Sequence, residues 1–419
     1  MLNTIAILIT AAALFSYLNQ RFIRLPTTIG LMVIALGLSV ALVLIGALGW
    51  PTLHIEAEAF LRGIDFHETL MQGMLSFLLF AGALHVNLTD LRKQKWIIAL
   101  LATLGVVIST FLVGGFTYWL MNLLGLNLPF IYCLVFGALI SPTDPIAVLG
   151  ILKTTHAPRT LKTKITGESL FNDGVGVVIF LVLTSIAAGN QPVTAGSVAL
   201  MLSTEALGGI GFGLVIGGIT YFLLRSINNY SVEVLITLAL VTGGYALASA
   251  LHLSGPIAMV VAGLLIGNHG RRTAMSEITR LHVDTFWELV DELLNAVLFV
   301  LIGLEVLILS FKTTYFQAAL VLVPAVLLAR LISVSVPVLL LRRVRQFSPG
   351  IIPIMTWGGL RGGISVALAL SLPLGPERET ILAVTYLIVV FSITVQGLTI
   401  GRVIRHWSSE SATDAQARH

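Results

Sequence analysis

Apolar runs of about 20 residues, each bounded by charged or turn-forming residues, follow one another along nearly the whole of this 419-residue chain. A run of that length crosses a bilayer as a helix, because lipid offers the backbone no hydrogen-bond partner and a helix supplies its own. Thirteen spans are predicted, roughly at 3–20, 29–49, 69–88, 96–121, 129–152, 166–188, 196–224, 231–251, 255–268, 286–309, 314–341, 350–372 and 380–402. The composition agrees: 57% hydrophobic, 11% charged and a mean hydropathy of +0.97 exclude a soluble globular domain and a disordered chain. The expected fold class is therefore an all-α polytopic membrane protein, with a single membrane domain over 1–405 and a short polar tail over 406–419.

The placement of cations orients the spans. Connections after odd-numbered spans hold Arg21 and Arg24; Arg92, Lys93 and Lys95; Lys153, Arg159, Lys162 and Lys164; Arg225; Arg271, Arg272 and Arg280; Arg342, Arg343 and Arg345; and Arg402, Arg405 and Arg418, nineteen of the 24 Lys and Arg. Connections after even-numbered spans hold only Arg62, Lys312 and Arg378, while Arg330 and Arg361 lie inside spans. The positive-inside rule then puts the N-terminus outside and the C-terminus in the cytoplasm of a bacterial-type inner membrane. No basic residue precedes the first run and two follow it, the reverse of a secretory signal, so it is read as a retained span. The only cysteine, Cys133, falls in the fifth span, which leaves no disulfide framework and no thiol metal cluster. The expected partners are the bilayer and small ions, with no nucleic acid and no cofactor.

Two spans are interrupted at comparable depth. The fifth carries Ser141-Pro142-Thr143-Asp144-Pro145 and the twelfth Gly358-Gly359-Leu360-Arg361-Gly362-Gly363. Seven spans separate them, so they cross in opposite directions, as related elements of an inverted repeat do. A lone proline kink or glycine cluster needs no function. Two breaks, each holding a charge, point to free backbone groups that bind an ion near the midplane.

Asp144, in the first break, and Asp173, in Gly167-Glu168-Ser169-Leu170-Phe171-Asn172-Asp173-Gly174, sit where hydrocarbon belongs. A charged side chain at that depth costs several kcal/mol, so it faces a bundle interior or a wet cavity and marks an ion or proton path. Ser169 and Asp173 are four residues apart, on one helix face, with Asn172 beside them. Hydroxyl, carboxylate and carbonyl oxygens suit a hard monovalent cation. Taken singly, Ser169 or Thr143 reads more simply as a hydroxyl bonded back to its own helix. Glu168 lies about 140° around the helix from Asp173 and needs another partner. Arg361 is the expected one, in a structural Glu168–Arg361 bridge, and Arg330 is left without an assignment.

These stretches, with Leu25-Pro26-Thr27-Thr28-Ile29-Gly30 and 286–305 around Asn295, resemble the monovalent cation:proton antiporter-1 family, its NhaP-type branch related to animal sodium/hydrogen exchangers. The resemblance runs in order along nearly the whole chain, and its Asn172-Asp173 pair and Gly-Leu-Arg-Gly segment are specific. It implies two inverted six-helix repeats, a dimerisation part, and a core part that moves across the membrane carrying the ion. It also implies Asp173 as the carrier carboxylate, with Asp144, Thr143 and Ser169 near Na⁺, Asn172 hydrogen-bonded beside it, and Glu168 paired with Arg361. One departure stands out: some members carry an ion-ligating glutamate in the third span, where this chain has Leu79-Phe80-Ala81-Gly82-Ala83-Leu84.

The expected function is exchange of one monovalent cation, Na⁺ foremost and Li⁺ or K⁺ besides, for one proton by competition at Asp173, by alternating access in a homodimer, in the service of pH homeostasis. A one-for-one exchange is electroneutral, and the resemblance agrees, since it implies electroneutral exchange for the branch with Asn-Asp. The alternatives are a K⁺-preferring antiporter and a cation channel, but no repeated filter segment or arginine ladder is visible. An intramembrane aspartyl protease also pairs two aspartates, yet Asp173 lacks the preceding Gly-x-Gly of such enzymes. His54, His67, His85, His156, His269 and His282 lie in or near connections and titrate near neutrality. Glu288, Asp291 and Glu292 open the tenth span as an acidic cluster that either draws cations inward or is a plain polar helix start.

Overall fold

The computed structural model of the protein describes residues 2–48, 51–64, 66–154, 159–189, 195–309, 312–343, 347–348 and 350–416. His156, Arg345 and Arg418 lie outside the described residues, as do the side chains of His54, Arg62, His67, Lys153 and Arg159.

Among the described residues the architecture is helical throughout. Eight helices are long and apolar enough to cross a membrane: Asn3–Ile23, Thr27–Ala47, Lys95–Leu123, Thr160–Ala187, Ser203–Arg225, Tyr230–Ala250, Thr313–Leu341 and Pro376–Trp407, with Thr69–Leu84 and Phe130–Ile140 as shorter apolar helices. The predicted ninth and tenth spans fall on Gly255–Leu265 and Glu277–Leu304. The latter begins among charged residues, capped by the Ser276 hydroxyl, well before its apolar part. Two differences from the sequence reading concern connections. Pro51–Arg62, expected as an outer loop, is a helix, and the last helix, Gly397–Gln416, runs on through most of the expected tail.

Burial grades from the centre outward. Two-thirds of Pro376–Trp407 (67% of its most apolar window) is buried, against 22% of Asn3–Ile23 and 28% of Ser203–Arg225. On Ala195–Arg225 the residues Leu200, Leu207, Leu214 and Phe222, seven or eight positions apart, all point outward, which is the apolar stripe a helix offers to lipid. The more buried helices lie toward the centre, where most polar side chains are partnered.

The fifth and twelfth spans are each two short helices: Phe130–Ile140 with Ile146–Thr154, and Ile351–Trp357 with Gly363–Leu370. Different chemistry makes the two breaks. Pro142 and Pro145 remove donors and push Ser141 and Asp144, the residues before them, away from helical geometry. The second break has no proline and relies on four glycines around Leu360-Arg361, whose missing side chains free the backbone.

Candidate functional site

The two breaks touch. Asp144 and Leu360 form an isolated antiparallel bridge, with the Asp144 N–H donating to the Leu360 carbonyl at 2.8 Å. The Asp144 carboxylate folds back to accept from the Ile146 N–H at 2.9 Å, at the start of its own second half-helix. Its other oxygen lies against Gly362, where an added Cβ would come within 2.4 Å of it. Gly362 directly precedes Gly363–Leu370, so Asp144 sits at the amino ends of two half-helices, where dipoles and open N–H groups favour negative charge.

The arginines occupy the opposite, carboxyl ends. Arg361 Nη1 donates to the Ser141 and Pro142 carbonyls at 2.6 and 3.0 Å, just past Phe130–Ile140. Arg330, from the middle of Thr313–Leu341, donates through Nε and Nη2 to the Met355 carbonyl at 3.3 and 3.2 Å, in the last turn of Ile351–Trp357. The Glu168–Arg361 bridge expected from the sequence is not what forms. Arg330 grips Glu168 instead, with Nη1 to Oε1 at 2.5 Å and Nη2 to Oε2 at 2.9 Å, both residues buried. The reason is geometric: Arg361 lies against the first break, where Pro145 has no N–H for the Ser141 carbonyl and the guanidinium bonds that carbonyl and its neighbour at Pro142. Arg330 stands in the continuous helix Thr313–Leu341, between Pro324 and Pro337, and its planar fork meets the Glu168 carboxylate in a bidentate pair while also holding Met355.

The second cluster joins the first break to the long helix Arg159–Ala187. The Asn172 amide donates to Thr143 Oγ1 at 2.9 Å and accepts from the Thr143 N–H at 3.4 Å, and Thr143 Oγ1 lies 3.2 Å from Ser169 Oγ. Thr143, Ser169 and Asn172 are thus one buried hydrogen-bonded group. Asp173 is beside it, 8% exposed, with no hydrogen bond to a described residue and with Asp144 and Glu168 as the charges within electrostatic reach. The break is seated on the same helix three residues further on, because an added Cβ at Gly176 would fall 2.3 Å from the Pro142 ring.

Several supporting residues carry no sequence signal of their own. Ser109 Oγ accepts from the Ser141 hydroxyl at 2.9 Å, and Ser392 accepts from the Arg361 N–H at 2.9 Å. Gln396 donates to the Trp357 carbonyl at 3.0 Å. Ser392 and Gln396 bound the π-turn Ser392–Gln396, a widened stretch that turns polar side chains toward the open backbone of the second break. Among the described histidines, His85 is near the acidic cluster, with Nδ1 2.8 Å from the Ala81 carbonyl, and His282 stacks on Tyr230.

Comparison with known proteins gives a consistent placement. Residues 8–406 match the family described as sodium/hydrogen exchanger, transmembrane. The Na(+)/H(+) antiporter NhaP of Pseudomonas aeruginosa is 55% identical over 409 residues, covering 97% of this chain and 96% of that protein. The Na(+)/H(+) antiporter NhaH of Halobacillus aidingensis is 37% identical over 379 residues, covering 88% and 91%. Among solved structures, the sodium proton antiporter MjNhaP1 of Methanocaldococcus jannaschii shares the fold, with a TM-score of 0.75 at 21% identity over 96% of this chain and 98% of that one.

Proposed function

Because this chain belongs to the sodium/hydrogen exchanger family of membrane transporters, we propose that it exchanges a monovalent cation for a proton across the membrane, Na⁺ foremost, one for one at Asp173. The observation that carries the reading is the contrast among the three buried acids beside the breaks. Glu168 is matched by Arg330, and Asp144 by a backbone donor and two helix amino ends. Asp173 alone of the three has no protein donor among the described residues. An uncompensated carboxylate at membrane depth is costly, and binding either a proton or a cation removes that cost.

Competition for one carboxylate is exchange. The loaded site crosses, the bare charged site does not, and neither ligand leaks alone. Thr143 and Ser169 offer oxygens to a dehydrating Na⁺, while Asn172 fixes Thr143. One cation against one proton carries no net charge. Two inverted repeats crossing at the breaks, thirteen spans with the N-terminus outside, a core part moving against a dimerisation part, and a homodimer in a plasma membrane complete the reading. The antiparallel contact of Asp144 and Leu360 supports the inverted arrangement. Arg330 and Glu168 hold the assembly, and Arg361 seals the first break.

The test is cation-induced collapse of a preformed pH gradient in everted vesicles, with Na⁺, Li⁺ and K⁺ added separately to the parent and to Asp173→Ala. A response present in the parent and lost in the variant supports exchange through Asp173 and ranks the ions. No response from about pH 6 to 9, with protein present in the membrane, removes the reading. A current driven by a Na⁺ gradient in proteoliposomes rejects the one-for-one form.

A further inference from the structure

A small cavity that the exchange site does not use lies where Thr313–Leu341, the second break and the helix Pro376–Phe391 meet. Its volume is about 10 Å³, room for one water-sized body. Arg330, Arg361 and Gln396 line it together with apolar side chains such as Val326, Ile388 and Phe391, and no acid is among its described lining residues. The pocket is thus walled by two guanidinium groups and hydrocarbon.

The Arg361 guanidinium is the informative member. Its Nη1 is spent on the Ser141 and Pro142 carbonyls. Its Nη2 is fully buried and has no hydrogen-bond partner among the described residues, in a side chain only 2% exposed. A buried donor is rarely left open, and an open donor on a charged group costs more than one on a neutral group. The charges within electrostatic reach of Arg361 are Arg330, which repels it, and Glu168, which Arg330 already holds through both oxygens. Within that reach two buried cations share one carboxylate. A water in the cavity would satisfy the open N–H and leave the imbalance of charge, whereas a small anion removes both costs.

Gln396 completes the donor set. Its amide nitrogen gives one N–H to the Trp357 carbonyl and has a second to give. Arg330, whose Nε and Nη2 are committed to Met355 and Glu168, contributes field more than contact. Gly359 lets it stand there, since an added Cβ would meet Arg330 Nε at 2.5 Å. We propose that this cavity binds a dehydrated halide-sized anion, chloride foremost, held by Arg361 Nη2 and the Gln396 amide in the field of Arg330. The anion is a resident counter-ion and not cargo. It links the second break to the helix Pro376–Phe391, and it does not depend on exchange at Asp173.

The test uses the full chain purified in detergent. Its melting temperature is followed as gluconate is replaced by chloride at constant ionic strength, for the parent, Gln396→Leu and Gln396→Glu. The parent is expected to gain about 2–4 °C along a saturating curve, as a ligand bound to the folded state alone produces. Gln396→Leu removes one charge-assisted contact and should need about tenfold more chloride for half the gain. Gln396→Glu supplies the negative charge covalently and should show no gain. Bromide should replace chloride and, in crystals, give an anomalous peak beside Arg361 Nη2. A parent indifferent to chloride means that the cavity takes water only, and overturns the site. An equal gain at equal chloride in all three proteins is a surface salt effect and overturns it as well, as does the absence of a bromide peak at Arg361. Where neither variant folds, the bromide peak decides alone.

Discussion

Glu168 and Arg330, 162 positions apart in sequence, meet through two parallel hydrogen bonds of 2.5 and 2.9 Å inside the bundle, while the same guanidinium holds the Met355 carbonyl. Three helices are thereby tied at one point. Removing either charge leaves the other buried and alone, at a cost of about 3–5 kcal/mol. Arg330→Ala and Glu168→Ala are expected to lower the melting temperature in detergent sharply. The double variant Glu168→Gln with Arg330→Met should recover part of that loss, a coupling that a thermal double-mutant cycle reads directly.

Arg361 behaves differently because it caps carbonyls and has no carboxylate partner. Arg361→Lys keeps the charge but replaces a forked donor with a point ammonium. We expect it to melt closer to the parent than Arg330→Lys, since one strong donor serves two adjacent carbonyls adequately but cannot serve a bidentate carboxylate and Met355 together. Equal losses for the two lysine variants would contradict this division of roles.

Gly362→Ala tests the contact at the crossing. The new methyl would lie 2.4 Å from Asp144 Oδ2, so the carboxylate or the break must shift. Exchange is expected to fall tenfold or more, as a displacement of about 1 Å costs at a preorganised site. Gly115→Ala, with nothing within 4 Å of the added carbon, is the matched control and should exchange like the parent.

The proposed competition at Asp173 fixes the expected sign of the pH dependence. Protons occupy the carboxylate as pH falls, so half-saturating Na⁺ should rise on acidification, approaching about tenfold per pH unit, and level off on alkalinisation when one proton is exchanged per cation. Half-saturation measured across about pH 6 to 9 checks it. A flat profile would mean that cation and proton do not share the site.

Much of this was legible in the chain because the bilayer imposes a simple code. Apolar length marked the helices, and Pro142, Pro145 and the glycines around Arg361 marked both breaks. The grouping of Thr143, Ser169 and Asn172 was readable from helical spacing and the break. The choice between Arg330 and Arg361 for Glu168 was not. Both are buried arginines that bond carbonyls at a break, and which of them reaches Glu168 is a fact of the crossing and not of either segment. The helix at Pro51–Arg62 was missed because its sequence is too polar to read as a span, and span length was the signal in use. Ser392 and Gln396 escaped because only the widened turn reveals where they point.

The hydrogen bond from Asp144 to Leu360 makes the two broken spans a single crossbar. Neither half can slide without dragging its counterpart, and Pro142 against Gly176 bolts that crossbar to the helix bearing Asp173. The two breaks and that helix are consequently linked at the middle of the protein. The alternation proposed above would then draw its compliance from the periphery, where sparsely buried helices such as Ser203–Arg225 offer apolar faces to lipid. Bilayer thickness and lateral pressure would then set the pace of turnover without ever touching the ion.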